Sequence, residues 1–195
     1  MGRQRISWRM GFWRRTALCF GILAMGLVFV APASFGAPGT DSCVNNAESR
    51  QLDFWLGSWT VTYPGASTAS SSRVHLELSK CVLIENWNGG KGHQGINVFA
   101  YSADDHQWHG MFADNEGRVH VFAGKVDNGS AEFLGPSVGP NGEKDLNRIR
   151  ITRQGPDRVQ QTWEKSADNG SKWVTVFQGQ YTRVESKSAS GKPSR

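Results

Sequence analysis

The sequence predicts an all-β chain, an up-and-down antiparallel barrel of about 8–10 strands with a short helical plug at its N-terminal side. Three observations predict it. A dense apolar hexamer, Phe54-Trp55-Leu56-Gly57-Ser58-Trp59, heads the patterned part of the chain. Behind it, apolar and polar residues alternate in short segments separated by turn residues, the period-2 signature of half-buried strands. After Leu56 no helical period persists, so no crossover helix is available to build a parallel sheet.

Residues 1–36 come first. Arg3, Arg5, Arg9, Arg14 and Arg15 form a basic lead without an acid, and residues 16–31 are an uncharged apolar run. Ala31-Pro32-Ala33 and Ser34-Phe35-Gly36 both place small residues where a signal peptidase cuts. This reads as a secretory signal peptide. The rival is a membrane anchor, but the 16 residues of the run fall short of the ~20 that a spanning helix needs. Export to the periplasm or beyond follows, with no transmembrane anchor left after cleavage. Removing the leader changes the charge. With its five arginines taken from the 22 lysines and arginines, 17 cations face 17 carboxylates. A neutral chain lacks the clustered cations that a phosphate backbone requires, which excludes nucleic acid as a partner. The cut also leaves two cysteines, Cys43 and Cys81. An even count in an exported chain points to a disulfide, with two buried free thiols as the alternative.

Residues 37–50 are a lead-in, 51–185 the barrel and 186–195 a Ser/Lys/Gly/Pro tail expected to be disordered. Within the barrel, 51–56 is the plug; burying each large apolar side chain there is worth roughly 1.5–3 kcal/mol. Strand 58–63 puts Trp59, Val61 and Tyr63 on one face. A Ser/Ala/Thr-rich loop at 65–72 leads to 73–87, a strand pair or one long bent strand, and the glycines of 88–92 read as a loop. Strands at 96–102 and 107–113 flank Asp104-Asp105, and Asp114-Asn115-Glu116-Gly117 turns the chain into 118–126. Asp127-Asn128-Gly129-Ser130 is a hairpin signal, because Asn and Gly accept positive φ. A short strand at 131–134, a long irregular connection at 135–143, and strands at 146–153, 158–164 and 173–185 complete the series.

Meander-length connections favour a barrel over a sandwich with Greek-key returns. In the last strand Trp173, Thr175, Phe177, Gly179, Tyr181 and Arg183 share one parity. Gly57-Ser58-Trp59 resembles the G-x-W that opens the first strand of lipocalins and other calycin-type barrels. There an arginine late in the chain lies over the tryptophan, so the resemblance implies Arg183 over Trp59, a cation–π contact worth on the order of 0.5–2 kcal/mol. Longer matches carry a second resemblance. Asp53 to Trp59 reads D-F-W-x-G-x-W, Trp108 to Gly117 reads W-x-x-x-x-x-D-x-x-G, and Trp163 to Tyr181 follows W-x-x-S-x-D-x-G-x-x-W-x-x-x-F-x-G-x-Y, with Glu164 to Ser166 matching loosely. Over most of 51–184 the chain thus resembles an uncharacterised bacterial family of small secreted β-barrel proteins. That resemblance implies a calycin-like barrel and no established activity.

Few residues suggest chemistry. Ser166 to Trp173 also matches the Asp-box S-x-D-x-G-x-x-W of sialidase-type propellers, but a single copy is a turn device, with Asp168 accepting turn N–H groups, Gly170 left-handed and Trp173 packed on the hairpin. Gly57, Asp114 and Arg183 are likewise read as structural. His75, His93, His106, His109 and His120 read as solvent-facing. With the hairpin tip at Asn115-Glu116, His109 and His120 share one face and Trp108, Phe112, Val119 and Val121 line the other, the expected interior. No metal site or cofactor is expected; nitrobindin, a haem-binding calycin relative, uses a histidine late in its chain, and none follows His120 here. The expected function is an exported monomeric barrel that binds a small, largely apolar ligand through Trp59, Glu85, Trp87, Trp108, Arg150 and Trp163. The rivals are an isomerase- or cyclase-type enzyme with Glu85 or Arg150 inside the barrel, and a cell-envelope interaction module using an exposed strand edge.

Overall fold

The structure is a computed structural model that describes residues 43–138 and 141–185. The signal peptide expected over 1–36 and the tail at 186–195 lie outside the described residues.

Ten strands form one closed antiparallel barrel. They are β1 (Gly57–Thr62), β2 (Ser70–Glu77), β3 (Val82–Gly90), β4 (His93–Ser102), β5 (Gln107–Asp114), β6 (Val119–Asp127), β7 (Ser130–Val138), β8 (Lys144–Gly155), β9 (Arg158–Ser166) and β10 (Val174–Arg183). Each pairs with its neighbours in sequence, and β10 pairs with β1, Trp59 opposite Arg183 and Val61 opposite Tyr181. Closure leaves no unpaired strand edge.

The plug is two short 3₁₀ turns, Glu48–Arg50 and Asp53–Trp55, and so begins earlier than the apolar hexamer suggests. Its Leu52 and Trp55 are wholly buried, with Trp55 edge-on to Phe99 and Tyr181. A Cys43–Cys81 disulfide ties the segment ahead of the plug to the turn between β2 and β3. The barrel therefore has a closed end, made by the plug, this turn and the β8–β9 turn, and an open end where β1–β2, β3–β4, β5–β6 and β9–β10 are joined.

Several strand limits differ from expectation for physical reasons. Of the two readings of 73–87 the strand pair holds, because Leu78, Ser79 and Lys80 all take positive φ and reverse the chain. Asn88 to Gly90 belong to β3 rather than to a loop; a Cβ at Gly89 would run into the Trp87 ring, so this glycine makes room for an indole. β7 continues to Val138 through the stretch read as irregular, with Gly135 letting the β6 backbone press against it.

One difference matters most. The β5–β6 turn uses three residues, 115–117, closed by the Asp114 N–H donating to the Arg118 carbonyl (3.1 Å), with Gly117 at φ 84°. Phe112 then faces His120 across the pair, where a two-residue tip would have offset them by one. A one-residue shift moves every side chain to the other face. His120 and Phe122 point inward, whereas Val119 (60 % exposed) and Val121 (52 %) lie outside, the reverse of the expected parity.

Candidate functional site: an aromatic cup

The interior divides into a packed half and a hollow half. At the closed end the guanidinium of Arg183 lies 4.2 Å from the Trp59 ring centroid. Its Nη1 donates to the Leu56 carbonyl (2.7 Å), and its Nε lies 3.2 Å from Asp157 Oδ1. Gly57 is required beneath it: φ is +129°, and a Cβ would strike Arg183 Nη1. The Trp59 indole donates to the Trp55 carbonyl (2.8 Å), locking plug to strand. Trp108 is also here, donating to Gln51 Oε1 (3.0 Å) beside Tyr101. Trp59 and Trp108, read as ligand contacts, thus pack the closed end and do not line the cavity.

Toward the open end lies a cavity of about 440 Å³. Its walls are rings: Tyr63, Trp87, Phe112, Trp163 and Phe177, with His120 among them. Trp163 stands edge-on to Phe112 (5.3 Å), His120 (5.0 Å) and Phe122 (5.6 Å). A Cβ at Gly95 would occupy the place of the Phe112 ring, so the strand gives up a side chain to seat an aromatic.

The floor is polar. Glu85 is fully buried, and its carboxyl accepts from Ser72 Oγ (2.6 Å), Asn97 Nδ2 (2.7 Å) and the Tyr181 hydroxyl (3.0 Å). Burial raises the Glu85 pKa, and those three hydrogen bonds offset part of the rise. The Tyr181 hydroxyl also faces Gln161 Oε1 at 2.5 Å. Carrying one proton, it serves only one of its two acceptors at a time. Burial and the nearby carboxylate push the Tyr181 pKa well above its usual value, so the phenol keeps that proton. Asn97 is 3 % exposed, and its Oδ1 has no partner among the described residues; nor has the buried Nε1 of Trp87.

On the facing wall a relay fixes His120. The Trp163 indole donates to Asn147 Oδ1 (2.9 Å), so Asn147 Nδ2 is free to donate to His120 Nδ1 (3.3 Å). With Nδ1 accepting, the proton of the neutral imidazole resides on Nε2. Burial, then the charges of Lys165 and Arg118, lower the His120 pKa and hold the ring neutral, against a smaller opposing effect of Asp114.

At the mouth, Asp114 organises the β5–β6 turn. Burial works to raise its pKa, but hydrogen bonds from the Arg118 backbone and side chain, from His93 and from the Glu116 N–H bring it down to about 2. His93, Asp114 and Glu116 have the donor atoms to surround a cation. The Arg118 guanidinium already stands among them, with Nε 2.7 Å from Asp114, Nη2 2.8 Å from Glu116 and the same nitrogen 3.1 Å from His93 Nε2. This is an ion-pair cluster.

The remaining candidates lie elsewhere. Arg150 faces outward, with Nε 2.8 Å from Glu132 and Nη1 2.9 Å from Glu164, because Ile149 and Ile151 on either side take the interior. It does not line the cavity. On the β9–β10 turn the Asp168 carboxylate accepts from the Lys172 N–H (2.7 Å) and Ser166 Oγ (2.9 Å) and Gly170 sits at φ +89°, while Arg148 of β8 lies 4.0 Å over the Trp173 ring. The cavity collects Glu85, Trp87 and Trp163 from the sequence-read set. It adds Asn97, His120, Gln161 and Lys165, whose only sequence signal is a polar residue at inward parity within a strand.

The closed ten-strand meander is consistent with a calycin-like fold. No protein-family model matches the chain, and no curated protein matches it.

Proposed function

We propose that the chain is an exported binding protein that takes a small, largely apolar ligand into the open end of its barrel. The observation that carries this reading is the cup itself. About 440 Å³ of space is walled by aromatic rings while two buried polar atoms of its lining residues, Trp87 Nε1 and Asn97 Oδ1, go without partners among the described residues. In a barrel filled only for stability, each such atom costs on the order of 1–3 kcal/mol. A ligand that pairs with them recovers the loss, and the volume is on the scale of a small-molecule site. The arginine-led apolar leader and the Cys43–Cys81 disulfide support export to an oxidising compartment. The motif spacing supports placing the chain with the bacterial family of small secreted barrels that it resembles.

Intrinsic tryptophan fluorescence tests the reading, since Trp87 and Trp163 line the cup. Titration with neutral lipids, retinoids and aromatic metabolites should give a saturable change for at least one class, and Trp163→Leu should abolish it. Silence from every class would remove the binder. One observation favours acid–base catalysis as a second reading: the same cavity holds a carboxyl whose pKa is raised and an imidazole whose pKa is lowered. Turnover of any bound ligand, with one limb of its pH–rate profile lost in Glu85→Gln, would move the assignment to that reading.

A further inference from the structure

The polar groups of the cup are sorted by depth. Glu85, Asn97 and Gln161 form the floor, joined through Tyr181. All the cations are at the mouth. Arg118 is engaged by Asp114 and Glu116, whereas Lys165, on the inward parity of β9, takes part in none of the described ion pairs. The floor thus offers an acceptor without a partner among the described residues, Asn97 Oδ1, and the mouth a lysine outside the described ion pairs. Trp87, on the cavity wall, adds an indole N–H without a partner among the described residues. The span can be read from the backbone. Gln161 and Lys165 are four residues apart on β9, about 13 Å along a strand rising ~3.3 Å per residue. A barrel tilt of about 40° shortens this to roughly 10 Å along the axis.

We propose that the cup binds an aromatic acid carrying a hydrogen-bond donor at the end opposite its carboxylate, in the simplest case a phenolic hydroxyl. The inference rests on the binding reading above and supplies its ligand chemistry. The flat ring fills the space among Trp87, Phe112, Trp163 and Phe177. Its hydroxyl donates to Asn97 Oδ1, and its carboxylate meets Lys165. A ring joined to its carboxylate by a two-carbon spacer has a length of the order of that backbone rise from floor to mouth. A second carboxylate on the floor would face Glu85, so the acid must enter with its charge outermost.

The experiment is calorimetric titration of the full protein, disulfide formed, with four probes. These are 4-hydroxycinnamate, cinnamate, methyl 4-hydroxycinnamate and the neutral apolar N-phenyl-1-naphthylamine. The expected result is tightest binding of 4-hydroxycinnamate, weakened about tenfold or more by removing either the hydroxyl or the charge. Lys165→Gln should erase the preference for the acid over its ester while leaving the ester's affinity unchanged. Asn97→Leu should erase the preference for the hydroxyl. Should that variant unfold, the comparison of 4-hydroxycinnamate with cinnamate on the native protein still decides the floor contact. Equal affinities for the acid, its ester and cinnamate would overturn the inference. Binding of the naphthylamine alone would overturn it too, while leaving the binder intact. No heat with any of the four, together with a silent fluorescence panel, would end both.

Discussion

Trp59 and Trp163 both face the barrel interior, one at each end, and their surroundings have almost nothing in common. Trp59 is 1 % exposed, capped by Arg183, with its indole N–H bonded to the plug. Trp163 is half-buried, touched edge-on by other rings, with open space on its cavity side. The closed end joins most of its polar groups to one another and excludes water. Both ends hold buried polar atoms without partners among the described residues, Trp55 Nε1 in the plug as well as Trp87 Nε1 and Asn97 Oδ1 by the cup, but the void among rings lies at the open end. Stability concentrated at one end lets the other stay hollow, because the plug, the disulfide and strand closure hold the wall in shape without a filled core behind it.

The largest expected effect tests that division directly. Trp59→Ala should cost about 5 kcal/mol in urea unfolding, the top of the usual range for a buried indole, because the Arg183 contact and a buried hydrogen bond go with it. Trp163→Ala should cost about 2 kcal/mol or less and instead remove the ligand response. Similar losses for the two would mean that the cup is part of the core. Next comes the disulfide. Its separation of 38 residues corresponds to about 4 kcal/mol on the chain-entropy model. The Cys43→Ser/Cys81→Ser double variant should lose stability on that scale, with ligand affinity unchanged if the two ends are independent. A smaller contrast lies in two glycines. Gly57→Ala must displace the Arg183 guanidinium from a left-handed position and should cost about 1–3 kcal/mol. At Gly117, on the open-end turn, φ is +84° but an added Cβ meets nothing, so alanine there should cost only about 1 kcal/mol. Thermal melts of the two variants would rank them.

The closed end was the legible one. Gly57-x-Trp59, a late inward-parity arginine and two cysteines are local signals whose partners follow once the first and last strands pair. The open end was less so, for three physical reasons. A three-residue turn at 115–117 cannot be told from a two-residue one by composition, yet it decides whether His120 or Val119 is inside. The glycines at 89 and 95 resemble turn formers, although they make room for rings. Asn97, Gln161 and Lys165 belong to no motif, and a half-empty barrel tolerates inward polar groups that a packed one would exclude. Arg150 was decidable in advance: isoleucines on both sides at inward parity leave it only the outer face.

The last contrast separates two carboxylates by sign. Asp114, at the mouth, has a folded pKa of about 2 against an ordinary 3.8. Its contribution to stability is therefore complete above pH 3.8 and lost as the pH falls toward 2. Glu85, on the floor, is shifted the other way, above its ordinary 4.5, by burial. Its contribution is complete below pH 4.5 and is lost as the pH rises through the folded value, because the folded state then resists ionisation that the unfolded chain accepts. Urea unfolding measured from acid to neutral pH should show both limbs. Asp114→Asn should flatten only the acid limb. Glu85→Gln should flatten only the limb above pH 4.5, whatever offset arises from setting a new amide against Asn97 Nδ2. If wild type and Glu85→Gln ran parallel above pH 4.5, Glu85 would ionise as easily folded as unfolded. The floor of the cup would then be wet, and the unpaired Asn97 oxygen would already have water in place of a ligand.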